Sequence, residues 1–150
     1  MRLIQQAGEH CEFELSSREK ALLQQVLSLY PQIPPGYQPL SKTADAQDPN
    51  QRLLDEAMNE TRAHSAKAVQ NLLADPNRLS RSESEWRLRL SSAELDWLLQ
   101  VLNDVRVGSW VRLGSPEKPL EALTAENAVH YWALEIAGYF QGGFLEVFDG

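Results

Sequence analysis

Two Glu-x-x-x-His pairs are the first places where residue type and spacing could do chemistry: Glu60 with His64, and Glu126 with His130. Side chains four apart on a helix lie on one face, so each pair could offer a carboxylate and an imidazole to a metal ion. Two such pairs on facing helices would make a metal-binding helical-bundle enzyme. The di-iron bundle pattern, however, spaces glutamate and histidine three apart, and neither pair does so. His10-Cys11 adds a soft ligand only in principle, because neighbours on a strand point to opposite faces. With three histidines in all and no zinc-ligand spacing, the pairs read first as surface or helix-end contacts. The metal enzyme stands as the alternative. Cys11 reads as a small buried strand residue. No glycine-rich phosphate loop, GxSxG elbow, CxxC or HExxH occurs. The expectation is a protein with no catalytic residues and no cofactor.

A second constellation lies inside the apolar stretch from Ser91 to Leu113: Asn103, Asp104, Arg106 and Arg112. Arg106 falls on one stripe with Leu95, Leu99, Leu102 and Leu113, which predicts a buried guanidinium. Such a group must be paired, since an unpaired buried charge costs several kcal/mol. Asn103 and Asp104 are the nearest partners, and Trp110 one turn on could stack against it. A structural polar network is the first reading of these four residues, and a binding or catalytic arginine the second.

The element that positions them opens with a capping box, Ser91 followed three residues later by Glu94. Beyond the cap it is apolar on nearly every side, and a helix apolar all round is buried. It is therefore expected to be the central helix of one core, enclosed by protein. The rest of the chain supplies its surroundings. Leu3 to Ala7 and His10 to Leu15 read as a hairpin turning near Gly8, with Cys11, Phe13 and Leu15 alternating with Glu12 and Glu14. Ser16 and Glu19 form a second capping box, for a helix to about Tyr30. Gln32 to Gln47 is a long aperiodic loop, of the kind that is usually functional or mobile. Asp48-Pro49 starts a peripheral helix to about Leu73. Its thin stripe is Leu54, Met58, Thr61, Ala68, Val69 and Leu72. Asn77 to Ser84 reads as a polar loop, and Trp86, Leu88 and Leu90 as a third strand. Thr124 is expected to cap the last helix, with Val129, Trp132, Ile136, Phe140, Gly143 and Val147 on its inner face. Gly138 and Gly142 would admit a neighbouring helix closely, and Gly142-Gly143 could kink or end the helix early. Tyr131, Leu134, Phe144, Leu145 and Phe148 are then left over, which suggests a homodimer.

Two stretches offset by 75 positions (91 minus 16) read alike. The shared residues are Leu15/Leu90, Ser16/Ser91, Ser17/Ser92, Glu19/Glu94, Leu23/Leu98, Gln25/Gln100, Val26/Val101 and Leu27/Leu102. Where the first copy has Glu12 and Glu14, the second has Arg87 and Arg89. Opposite charges across an antiparallel pair are favourable by some tenths of a kcal/mol. The two strands are therefore expected to pair about a pseudo-twofold axis. The fold class is mainly α: a four-helix core with a small antiparallel sheet. It is built as one domain, 1–150, from two strand-helix-loop-helix half-repeats at about 10–75 and 85–150.

Composition bounds the rest. A net charge of −7 argues against a duplex-binding surface, and the cluster Arg78, Arg81, Arg87, Arg89 reads as a solvated loop and strand face. No apolar run approaches the roughly 20 residues of a membrane span. The one cysteine excludes an internal disulfide framework, and MRLIQQAGEHCEF lacks the apolar core of a secretory signal. The expected compartment is the cytoplasm, with no nucleic-acid or membrane partner.

Leu102-Asn103-Asp104-Val105-Arg106-Val107, followed by Arg112-Leu113-Gly114, resembles the LNDLRL…RLG signature of a bacterial family. This is the mainly actinobacterial domain-of-unknown-function family numbered two-zero-one-seven. The capped helix after Leu15 and the aromatic last helix with Trp132 are similar in position, so the resemblance covers most of the chain. The sequence departs from the pattern at Trp110, where the family has glycine. The resemblance implies a mainly helical cytoplasmic protein without assigned activity. Genes of the family often neighbour that of a Clp protease adaptor, which implies a tie to regulated proteolysis. Together these readings point to a non-catalytic protein-interaction or regulatory module.

Overall fold

A computed structural model describes residues 1–33 and 49–148. Most of the loop expected from Gln32 to Gln47 lies outside the described residues. The elements run β1 (Arg2–Ala7), β2 (His10–Leu15), α1 (Ser17–Leu27), α2 (Pro49–Ala74), β3 (Leu79–Ser82), β4 (Glu85–Ser91), α3 (Ser92–Arg112) and α4 (Ala128–Leu145). The architecture is mainly helical with one four-stranded antiparallel sheet of order β1-β2-β4-β3.

The glutamate and arginine strands pair at the centre of that sheet. Glu12 stands opposite Arg89 and Glu14 opposite Arg87, while Phe13 meets Leu88 and Cys11 meets Leu90. The closest ionic contact across this pair is diagonal, Arg87 Nη1 to Glu12 at 3.7 Å. Glu14 is taken instead by Arg2 of β1, at 2.9 Å. Alternation puts Cys11, Phe13, Leu15, Leu88 and Leu90 on the covered face, where all five are buried. Gly8 turns the first hairpin with φ of +61°, a conformation that glycine adopts without a Cβ clash.

Asn77 to Ser84 is not a loop throughout: Leu79–Ser82 forms β3 and pairs with β4. The polar stretch hid it, because only Leu79 of the four residues faces the core. Arg81 stays exposed, leaving no alternation to read. Helix α1 also stops earlier than expected, at Leu27.

Helix α3 is central but not enclosed on all sides. Leu95, Leu98, Val101, Leu102 and Val105 are buried, whereas Asp96, Gln100, Asn103 and Arg106 are exposed and Trp97 and Trp110 half-buried. Residues 96, 100 and 103 fall on one face, so the helix keeps a wet stripe that its many apolar residues obscured. Helix α4 buries a face turned somewhat from the one expected, with Phe140 common to both and Trp132, Ile136 and Val147 only partly buried against the core. Ala133, Ala137, Phe140 and Phe144 are fully buried, while Val129 is exposed. The two alanines, four apart, let α4 lie close on α3, and Phe144 reaches the sheet to meet Phe13 edge-on at 5.0 Å. Phe144 therefore belongs to the core rather than to an outward surplus.

The glycines do not make that approach. A Cβ on Gly142 would meet nothing within 4 Å, and one on Gly138 only Arg106 Nε at 4.0 Å. Nor do Gly142 and Gly143 end the helix, which runs to Leu145. A Cβ on Gly143 would sit 2.1 Å from Met1 Cε, so its absence makes room for the Met1 side chain. Thr124 lies short of the helix: its hydroxyl accepts from the Asn127 N–H at 3.3 Å while the Asn127 side-chain Oδ1 accepts from the Thr124 N–H. The helix begins after that turn, at Ala128.

Helix α2 is the peripheral element, burying Gln51, Val69 and Leu72 and leaving Thr61 and Leu53 exposed. Among the described residues no helix is long and apolar enough to cross a membrane.

Candidate functional site

The structure does not bring Asn103, Asp104, Arg106 and Arg112 into one network. Successive turns of α3 aim them at three different places. Asp104 and Arg112 grip the chain segment that leaves α1. Asp104 Oδ1 accepts from the N–H of Gln32 at 2.7 Å and of Ile33 at 3.3 Å. Arg112 Nε donates to the Gln32 carbonyl at 3.0 Å, and Arg62 of α2 donates to the Ile33 carbonyl at 2.9 Å. The backbone of two consecutive residues is thereby held by side chains at both donors and both acceptors. A segment outside any helix or strand requires such partners, since buried backbone groups must be paired. Gly108 makes the approach possible, because a Cβ there would fall 2.3 Å from the Gln32 carbonyl carbon and 2.4 Å from the Ile33 nitrogen. Neither Arg62 nor Gly108 was singled out from the sequence. The available signal was a glycine inside an otherwise strong helix, a choice that costs about 1 kcal/mol unless something packs against it.

Arg106 points the other way and is exposed rather than buried. Its Nη1 donates to the Gln141 side-chain oxygen at 3.2 Å, so an amide takes the place of the expected carboxylate. It lines a cleft of about 570 Å³ between α3 and α4, with Trp110, Leu134, Glu135, Tyr139, Pro116, Glu117 and Pro119. The connector after α3 forms one wall. Trp110 fixes it there, its indole N–H donating to the Pro116 carbonyl at 2.8 Å. Asn103 lies instead on a second cleft of about 410 Å³, with Tyr30, Met58 and Trp97 between α2 and α3.

Glu60 and His64 both sit exposed on α2. Glu126 lies in the turn ahead of α4, and only His130 is on the helix, so the four-apart helical geometry fails for this pair. The pairs also belong to helices packed on different elements, α2 on β3 and α4 on α3. Among the described residues no group of three or more His, Cys, Asp or Glu could hold a metal ion.

Cys11 and Tyr139 are both shifted from their ordinary values. Burial, reinforced by the charge of Glu94, pushes the Cys11 thiol up, and its Sγ sits 3.7 Å from the Leu90 carbonyl. The thiolate needed of a nucleophile is disfavoured there. The Tyr139 hydroxyl is pushed up by its hydrogen bond to Glu19 and then by burial. On the larger cleft, the Tyr139 hydroxyl donates to the Glu19 carboxylate. The cleft offers apolar and aromatic area, one guanidinium and two carboxylates. Comparison with family models, with curated proteins and with solved structures gives no match.

Proposed function

We propose that the chain is a non-catalytic protein-interaction or regulatory module of the cytoplasm, and that its contact surface is the cleft between α3 and α4 with the connector beside it. The observation that carries this reading is that three of the exposed large apolar side chains among the described residues, the others being Leu53, Tyr139, Leu145 and Phe148, fall in one run beside that cleft. Leu120 is 68% exposed, Leu123 41% and Val129 51%, all between the cleft's proline wall and the start of α4. Scattered exposed apolar residues are ordinary, but a run of them beside a cleft lined by Trp110, Leu134 and Pro119 is the makeup of a contact patch. The acidic balance of the chain supports a protein partner over nucleic acid.

The half-repeat organisation belongs to the same reading. What supports it is the shared strand, serine cap and helix, with Ser16 and Ser91 making the same capping box and their strands paired centrally. The tie to regulated proteolysis is supported by the resemblance of the Leu102–Val107 run alone.

A photoreactive residue at Leu134 tests the function in the cell of origin. Covalent protein adducts are expected from Leu134 and not from Ser80 on the far face of the sheet. Adducts from neither position, or equally from both, would sink the proposal.

A further inference from the structure

We infer that the occupant of the α3–α4 cleft is the same cleft of a second copy of this chain. The inference rests on the reading of that cleft as an interaction surface and names its partner. A twofold interface is isologous: one patch meets itself, so it must carry both members of every ion pair it makes. This cleft does. Arg106 stands exposed on the α3 wall, Glu135 exposed on the α4 wall and Glu117 exposed on the connector. The ion pairs among the described residues are Met1–Glu19, Arg2–Glu14, Arg78–Glu94, Arg87–Glu12 and Lys118–Glu121, and none uses these three charges.

Trp110, Leu134 and Tyr139 line the same cleft, and large side chains of this kind are enriched at interfaces. Gly138 lines the cleft too, and a Cβ there would meet only Arg106 Nε, at 4.0 Å. A second copy turned about an axis through the cleft sets the arginine of each against the α4 glutamate of the other. A different partner would have to bring its own matched cation and anion, whereas a second copy has them by symmetry.

Sedimentation equilibrium of the full chain tests this. The parent protein is expected to form a concentration-dependent dimer. Arg106→Glu and Glu135→Arg should each weaken it about tenfold or more, as like charges then face each other. The variant carrying both reversals should recover to within about threefold of the parent, because the pair is re-formed with its signs exchanged. Both side chains are exposed, so circular dichroism should show all three variants folded. A parent that stays monomeric, single reversals without effect, or a double variant that fails to recover would each overturn the inference. The cross-linker at Leu134 separates this failure from that of the broader reading. Adducts to a different protein leave the interaction module standing without its self-partner, and no adducts remove both.

Discussion

Ser16 and Ser91 begin their helices in the same way. Each hydroxyl accepts the N–H of the glutamate three residues on at 3.1 Å, and each glutamate accepts the serine N–H, at 3.0 Å for Glu19 and 2.8 Å for Glu94. The next turns agree too: Leu23, Val26 and Leu27 are buried, and so are Leu98, Val101 and Leu102. Then the helices diverge, α1 ending after 11 residues and α3 after 21. The residues at matching positions explain why. Pro31 falls where α3 has Arg106, and a proline lacks the N–H and collides with the carbonyl four residues back. The Ser28 hydroxyl donates to the Gln25 carbonyl at 2.6 Å and helps close the last turn. Helix α3 continues, and its extra turns carry Asp104, Gly108 and Arg112, the residues that hold the strap leaving α1. The longer helix thus supplies the partners that the shorter one's exit requires.

The strongest test of the shared half of this comparison is truncation at matched core positions. Leu23→Ala and Leu98→Ala should each cost about 2–5 kcal/mol, through lost burial and the cavity left behind. Urea denaturation gives both values. A loss at Leu23 far below that at Leu98 would mean that α1 is only appended to the core.

The divergent half is tested at glycine. Gly108→Ala drives a methyl group into the strap backbone and should cost about 1–3 kcal/mol despite the better helix propensity of alanine. Gly138→Ala, whose methyl would meet only Arg106 Nε at an ordinary 4.0 Å, should instead be neutral or stabilise by up to about 1 kcal/mol. Similar effects at the two positions would mean that the strap does not press on α3. Next in size are the caps: Ser16→Ala and Ser91→Ala should each lower stability by about 1 kcal/mol, by the same denaturation measurement. Unequal losses would show that equal cap geometry is not equal cap energy.

Local patterns were legible in the sequence because local physics decides them. Both capping boxes, the hairpin at Gly8 and the inward set Cys11, Phe13 and Leu15 follow from residue type and spacing alone, and the charges of Glu12, Glu14, Arg87 and Arg89 implied the β2–β4 pairing. Tertiary choices were not. Ala133 and Ala137 define the buried face of α4 because they are small, and a search for large apolar residues points away from them. Arg106 looked buried because its helical stripe is leucine-rich, yet which stripe faces water depends on where α4 lands. Of the candidate site, Asp104 and Arg112 could be named as polar residues on a core helix. Their partner, the backbone of Gln32 and Ile33, lies some 70 to 80 positions away in sequence and leaves no mark in the pattern around them.

The smallest expected effect separates the two capping glutamates. Glu94 turns outward to Arg78 at 3.0 Å, a half-exposed ion pair of a kind that contributes at most about 1 kcal/mol. Glu19 instead gathers the Met1 amino group and the Tyr139 hydroxyl. Burial alone would raise its pKa. Hydrogen bonds from the amino group, the Ser16 N–H and Tyr139, with the amino charge, bring it down to about 2. A carboxyl depressed below its unfolded value of about 4.3 contributes stability that is present above that pH and lost as pH falls through the folded value. Glu19→Gln keeps a glutamine able to complete the capping box and removes only the charge. The melting temperature of the parent should exceed that of Glu19→Gln at neutral pH. The difference should narrow as the pH falls from about 4.3 and vanish only below about pH 2. A gap that persists unchanged down to that acid limit would mean that the glutamate stabilises α1 by its shape alone, and the two caps would then differ in neighbours but not in charge.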